Sequence, residues 1–188
     1  MDTTIRTARL TLRPPALQDG AALTAHFADY DVVKMTGSLP HPYLRPAADF
    51  WIMRTLSRVR RGLGHSYMLE TSDGAVIGNV SLFRGSDEDD FEIGYHIGRE
   101  WWGQGFATES CRAVIGAATR AGHTRLVAGV YDDNSLSHRV MDKLGFVETA
   151  RDNIFCMARQ RRVSGRRYAL DLMDTTSHSA ETASVVIS

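Results

Sequence analysis

The chain is short of most features that mark a specialised class of protein. Of its 188 residues only two are cysteine, Cys111 and Cys156. Two such distant thiols build neither a disulfide framework nor a metal-ligand spacing, which fits a reducing compartment. No apolar run approaches the ~20 residues that span a bilayer. The first residues lack the apolar core of a secretion signal, so a cytoplasmic location is expected. No charge of one sign dominates: Lys+Arg and Asp+Glu number 22 each. Binding of nucleic acid usually shows as a basic surplus, so neither nucleic acid nor membrane is an expected partner. Proline is sparse, at five residues. What the chain does hold is apolar bulk. Hydrophobic residues make up 43%, enough at this length for one domain with a sizeable core.

One stretch organises the rest, Phe91 to Ser110. Phe91, Ile93, Tyr95 and Ile97 alternate with Glu92, Gly94, His96 and Gly98, which is the period of a strand. Gly103, Gln104, Gly105, Phe106, Ala107 and Thr108 follow, and then helix-forming residues. Glycines at the head of a helix let backbone approach a ligand, and the free N–H groups there favour an anion, usually a phosphate. Two familiar phosphate loops are excluded. A Walker loop needs Gly-Lys-Ser/Thr, and a dinucleotide fingerprint needs a glycine where Thr108 stands. A tight strand-to-helix turn with no ligand is the plain alternative.

Taken in order, Arg9–Arg13 reads as a first strand closed by Pro14-Pro15. A helix is expected near Leu17–Ala28. Asp29–Arg45 is irregular, and Pro46 opens a second helix carrying Ile52, Leu56, Val59 and Leu63. Ser66–Thr71 and Ala75–Phe83 read as strands around the turn Ser72-Asp73-Gly74. Gly85–Asp90 is an acidic turn. A helix then runs to about Ala121. Arg125–Tyr131 is a strand, Ser135–Leu144 a helix stopped by Gly145, and Phe146–Arg151 and Arg167–Met173 are two closing strands. The Ser/Thr-rich segment 174–188 reads as a flexible tail beyond a domain of residues 1–173. The order βααβββαβαββ predicts a mixed α/β (α+β) architecture with a mostly antiparallel sheet of about seven strands and helices on both faces.

The loop Gly103–Thr108, followed by Asn134, Ser137, Val140 and Lys143-Leu144-Gly145-Phe146, resembles the GNAT superfamily of acyl-coenzyme A dependent N-acetyltransferases. Ala8-Arg9-Leu10-Thr11-Leu12-Arg13-Pro14 and Glu92-Ile93-Gly94-Tyr95 look like its RimJ/RimL-type branch of ribosomal-protein N-terminal acetyltransferases. The resemblance covers roughly residues 8 to 173. It implies a sheet splayed between the fourth and fifth strands, Phe91–Gly98 and Arg125–Tyr131, with the pantetheine arm of acetyl-CoA in the split. It implies acetyl transfer to a primary amine by direct attack in a ternary complex, without a metal.

The same resemblance assigns roles. Backbone N–H groups of Gly103, Gln104, Gly105, Phe106, Ala107 and Thr108 would hold the pyrophosphate. Trp102 stands where the wider superfamily often has Arg or Gln. Strand N–H groups near Tyr95, His96 and Ile97 would polarise the thioester carbonyl. Asn134 is a helix N-cap, a contact to the pantetheine arm, or both. Ser137 would serve the departing thiolate, because many members carry a Tyr where this chain has Met141, and Met donates no proton. Glu92 is the candidate base, acting through water, and His96, on the same strand face, is the alternative. Cys111 lies on the buried stripe of its helix and makes a poor nucleophile. An α-amine, with a pKa of about 8, needs less help from a base than lysine at about 10.4. The expected acceptor is therefore a protein or peptide N-terminus. Small-amine acetylation and non-catalytic acyl-CoA binding are the alternatives, and the chain is expected to be a monomer or homodimer. The cluster Arg159–Arg167 is either a solvated hairpin edge or a contact to an acidic ligand.

Overall fold

Alternating apolar and polar residues build the strands into one open sheet. A computed structural model describes residues 1, 3–85 and 91–172. The acidic turn near Asp87–Asp90 and the segment 174–188 lie outside the described residues. The strands are β1 (Ile5–Arg6), β2 (Leu10–Arg13), β3 (Gly64–Thr71), β4 (Val76–Arg84), β5 (Phe91–Ile97), β6 (Arg125–Tyr131), β7 (Val147–Cys156) and β8 (Arg161–Asp171). The helices are α1 (Gly20–Ala28), α2 (Tyr30–Val33), α3 (Arg45–Arg60), α4 (Phe106–Arg120) and α5 (Ser135–Leu144). The sheet order is β1-β2-β3-β4-β5-β6-β8-β7. Every pairing is antiparallel except β5 with β6.

Period-two alternation decides what each sheet face meets. On one face Leu69, Val80, Leu82, Ile93 and Leu126 pack with Val114 and Ala118 of α4 and Met141 of α5. On the other, Met68 packs with Leu23 and Phe27 of α1 and Ala48 and Ile52 of α3. The helices end where local chemistry stops them. Asn134 caps α5 by accepting a hydrogen bond from the Ser137 N–H, and Gly145 closes it at φ 82°, a left-handed conformation that suits glycine.

Four elements differ from the sequence expectation. A two-residue edge strand, β1, pairs with β2 through Ile5↔Leu12 and Arg6↔Thr11. The first helix is split into a 3-10 turn, Leu17–Asp19, and α1. The short α2 interrupts the stretch expected to be irregular. Asp29 starts it by accepting from the Asp31 N–H at 2.8 Å. Most of Asp152–Gly165, which lies between the two expected closing strands, belongs to a long hairpin, with Asp152↔Gly165 and Cys156↔Arg161 in register. The apolar residues Ile154, Phe155, Cys156 and Met157 are consecutive rather than alternating, so no strand period marked it.

Arg13 ties the first half together. Its Nε donates to Glu70 Oε2 at 2.6 Å, and its two terminal nitrogens donate to Asp19 at 2.9 and 2.7 Å. The Asp19 side chain is 1% exposed, and its Oδ2 also accepts from the Ala16 N–H. The bonds to Asp19 outweigh burial and raise the Arg13 pKa, so the guanidinium stays charged. Truncating one partner leaves a buried charge uncompensated. Arg13→Ala is therefore expected to destabilise the fold by about 3 kcal/mol, read as a lower midpoint in urea unfolding. An unchanged midpoint would show that Asp19 finds another partner.

Candidate active site

The site begins where β5 and β6 part. The two strands are in register only at Phe91↔Leu126 and Glu92↔Val127. Beyond that, β5 stays paired with β4 as far as Gly78↔Ile97. β6 stays paired with β8 as far as Tyr131↔Gly165. Backbone groups of β5 from Ile93 to Ile97 therefore face a gap. A cleft of about 1190 Å³ runs through this gap and is lined from both sheet faces.

At one end lies the glycine loop. A 3-10 turn, Arg99–Trp101, leads into it, and the Trp102 indole donates to the Ile97 carbonyl at 2.7 Å. Trp102 thus pins the loop to the end of β5. Gly103 and Gly105 sit at φ 75° and 84°, where a side chain would strain the backbone. Among the described residues no acceptor takes a hydrogen bond from the N–H groups of Gly103 to Thr108. They open α4, whose dipole adds positive potential. Backbone donors left free around a concave turn fit a pyrophosphate, so the chain's own residues suit the coenzyme.

Arg9 braces this loop. Its Nε donates to Glu109 Oε2 at 2.7 Å, a terminal nitrogen donates to the Gln104 carbonyl at 3.0 Å, and its guanidinium lies 4.2 Å from the Phe106 ring centroid. Burial opposes the charge on Glu109. Hydrogen bonds from Thr7 and Arg9 outweigh it, and the pKa is lowered. Sequence reasoning quoted Arg9 in the N-terminal motif but gave it no role. Nothing in the pattern signals a contact a hundred residues away.

The two faces of β5 present different chemistry. Tyr95 points to the α4–α5 face, where its hydroxyl donates to Ser137 Oγ at 3.0 Å. The Ser137 N–H donates to Asn134 Oδ1 at 3.1 Å, so backbone and side chain of Ser137 are both held. Burial raises the Tyr95 pKa, which keeps the phenol protonated. The sequence reading gave Tyr95 only a backbone role. The structure adds a phenol beside Ser137, from β5 rather than from the position of the buried Met141.

Glu92, Gly94 and His96 point to the α1–α3 face. They pair with Phe83, Ser81 and Asn79 of β4, in that order. Asn79 and Ser81 form a closed polar floor with Ser66: Asn79 Nδ2 donates to Ser66 Oγ, and Ser81 Oγ donates to Asn79 Oδ1. Glu92 is exposed at the lip of the cleft. His96 is different from its sequence expectation. Its Nε2 lies 3.4 Å from His26 Nδ1 and its ring lies against Phe27. Burial, and then the His26 charge, lower its pKa well below the usual value. His96 is thus neutral rather than titrating near neutrality.

Two other sequence candidates resolve as scaffold. The Arg159 side chain is 7% exposed. It donates to the Lys34 carbonyl and to Asp133, joining the hairpin turn to α2 and the β6–α5 loop. Arg166 pairs with Asp132 and Glu148, and Arg167 pairs with Asp152. Cys111 is fully buried, and burial pushes its pKa up to about 12.

Comparison with known proteins agrees with this geometry. Residues 9–147 match the acetyltransferase (GNAT) domain family. The chain is 31% identical over 147 residues to a Bacillus licheniformis protein named Uncharacterized N-acetyltransferase p20, covering 76% of this chain and 82% of that one. Its fold resembles the Salmonella typhimurium acetyltransferase described as modifying the N-terminal serine of ribosomal protein L7/L12. The TM-score is 0.78 at 18% identity, over 90% of this chain and 99% of that one. It also resembles the microcin C7 self-immunity acetyltransferase MccE, solved with acetyl-CoA and AMP. Here the TM-score is 0.76 at 17% identity, over 88% and 93% of the two chains. The chain belongs to the GNAT acetyltransferase family and is an acetyl-CoA-dependent N-acetyltransferase.

Proposed function

We propose that this enzyme acetylates the N-terminal α-amine of a protein or peptide. The observation that carries this reading is the division of β5: Glu92 on one face of the gap, and the Tyr95–Ser137 pair on the other. Acetyl-CoA, when bound, supplies the activated acetyl thioester. The free N–H groups of Gly103 to Thr108 bind its pyrophosphate. Unpaired backbone of β5 orients the carbonyl. On the α1–α3 face, Glu92 accepts the amine proton through water. On the α4–α5 face, Ser137 donates toward the departing sulfur. Tyr95 already donates to Ser137 Oγ, which leaves the serine proton free to point into the gap.

The supply of bases supports an α-amine. Glu92 is an exposed carboxylate, and His96 is held neutral away from solvent. Neither offers the strong base that a lysine ammonium requires. An α-amine, with a pKa of about 8, presents a useful neutral fraction at neutral pH. The RimL-like neighbour described above acts on an N-terminal serine, which suits the same reading. Both thiols are free and buried, and we infer a cytoplasmic setting.

Three outcomes are expected. Gly105→Val forces a β-branched residue into φ 84° at the loop and is expected to abolish acetyl-CoA binding in calorimetry while the chain stays folded. Unchanged affinity would remove the loop from the binding site. Ser137→Ala is expected to lower kcat by ~10²-fold, the usual scale for a positioned proton donor. Tyr95→Phe is expected to lower it by about tenfold. If Tyr95 acts through Ser137, the double variant is no slower than Ser137→Ala alone. Additive losses would give Tyr95 a separate role. On a peptide acceptor, kcat/KM is expected to rise with pH and level off near pH ~8, as the α-ammonium loses its proton. The Glu92→Gln defect is expected to shrink along that rise, because the amine then arrives neutral. Parallel profiles with equal kcat at every pH would eliminate Glu92 as the base.

A further inference from the structure

Among the described residues, the α1–α3 half of the cleft carries a wall of positive side chains from α3. Helix α3 presents Phe50, Arg54 and Arg58 to the cleft at intervals of four residues, so they line one stripe. The Arg58 guanidinium lies 4.0 Å from the Phe83 ring centroid. Phe83 is the register partner of Glu92. Burial lowers the Arg58 pKa, the neighbouring Arg54 charge lowers it further, and Glu92 opposes this. The Arg58 guanidinium therefore stands beside Arg54 and within electrostatic reach of the candidate base. Neither makes an ion pair among the described residues. The other acid lining the cleft, Asp133, is already taken by Arg159.

A second observation points the same way. Tyr43, in the segment before α3, also lines the cleft and is 3% exposed. Its hydroxyl is buried with no hydrogen-bond partner. A buried donor without an acceptor is costly, and native proteins rarely leave one. Burial raises its pKa to about 12, so it remains a donor and suits an anionic ligand. Phe50, 63% exposed, adds an apolar surface at the rim.

We propose that the acceptor is an acidic N-terminus, with an aspartate or glutamate at its second or third residue held by Arg58 and Arg54. This rests on the α-amine reading above and deepens it. An extended peptide advances ~3.4 Å per residue, and one helical turn separates the arginines by ~5.4 Å. With the amine near Glu92, the next two side chains fall within reach of the arginine stripe. Arginine binds carboxylate by a two-pronged hydrogen-bonded fork, so the pair reads an acidic side chain rather than merely attracting it.

The test is a series of peptides that share their first residue and differ at positions two and three: Asp-Asp, Asn-Asn or Lys-Lys. Wild type is expected to favour the acidic peptide over the neutral one by about tenfold in kcat/KM, and the basic peptide is expected to be worst. In Arg54→Gln and Arg58→Gln the acidic-to-neutral ratio falls toward one. In the double variant Arg54→Glu/Arg58→Glu the order inverts. Thermal melting checks folding, and the single variants keep the test open if the double does not fold. Equal turnover of all three peptides by wild type overturns the acidic-acceptor proposal and leaves the α-amine reading standing. Turnover of none of them, with small amines acetylated instead, overturns both.

Discussion

Strands β5 and β6 share two register pairs, Phe91 with Leu126 and Glu92 with Val127, and then diverge. A parallel pairing that stops this early leaves polar backbone facing a gap inside an otherwise continuous sheet. Unpaired backbone is costly unless something bonds it, so the gap is a built-in place for an extended ligand. The divergence also makes the two sheet faces communicate. Tyr95 and Glu92, on opposite faces of one strand, become neighbours of the same cleft.

The parting is held open by anchors on either side. Trp102 fastens the glycine loop to the last carbonyl of β5, and Arg9 fastens it to the N-terminal strand through Gln104, Glu109 and Phe106. On the far side Arg159 locks the hairpin turn to α2 and to Asp133 at the head of α5. The glycine loop and the helix that carries Ser137 are thus fixed by these side chains. Preorganisation of this kind lets donors stay aimed at developing charge without moving.

Charge is distributed by the same logic. Three of the hairpin arginines, Arg159, Arg166 and Arg167, are paired within the molecule, through Asp132, Asp133, Glu148 and Asp152. Arg54 and Arg58, one turn apart on α3, face the cleft without an ion-pair partner among the described residues. A balanced net charge therefore coexists, among the described residues, with a pair of arginines on the α1–α3 side of the cleft.

Local pattern was enough for the parts governed by near neighbours. The period of two in Phe91–Ile97, the glycines around Phe106, the Asn134 cap and the Gly145 stop each depend on residues a few positions apart, and each was legible in the chain. The family, the loop and the strand bearing Glu92 followed from them. Tertiary structure alone decided the rest, because it depends on residues far apart in sequence. The phenol of Tyr95 meets Ser137 across 42 residues, and Arg9 meets Glu109 across 100. His96 loses its expected titration because α1 buries it against His26, 70 residues away. Of the long β7–β8 hairpin only the ends, Phe146–Arg151 and Arg167–Met173, were legible; its tip carries no apolar period, and only the pairing of the two strands with each other extends them toward it. Sequence spacing sets which residues share a face. Which faces meet is set by packing, and the chemistry of this site arises where they do.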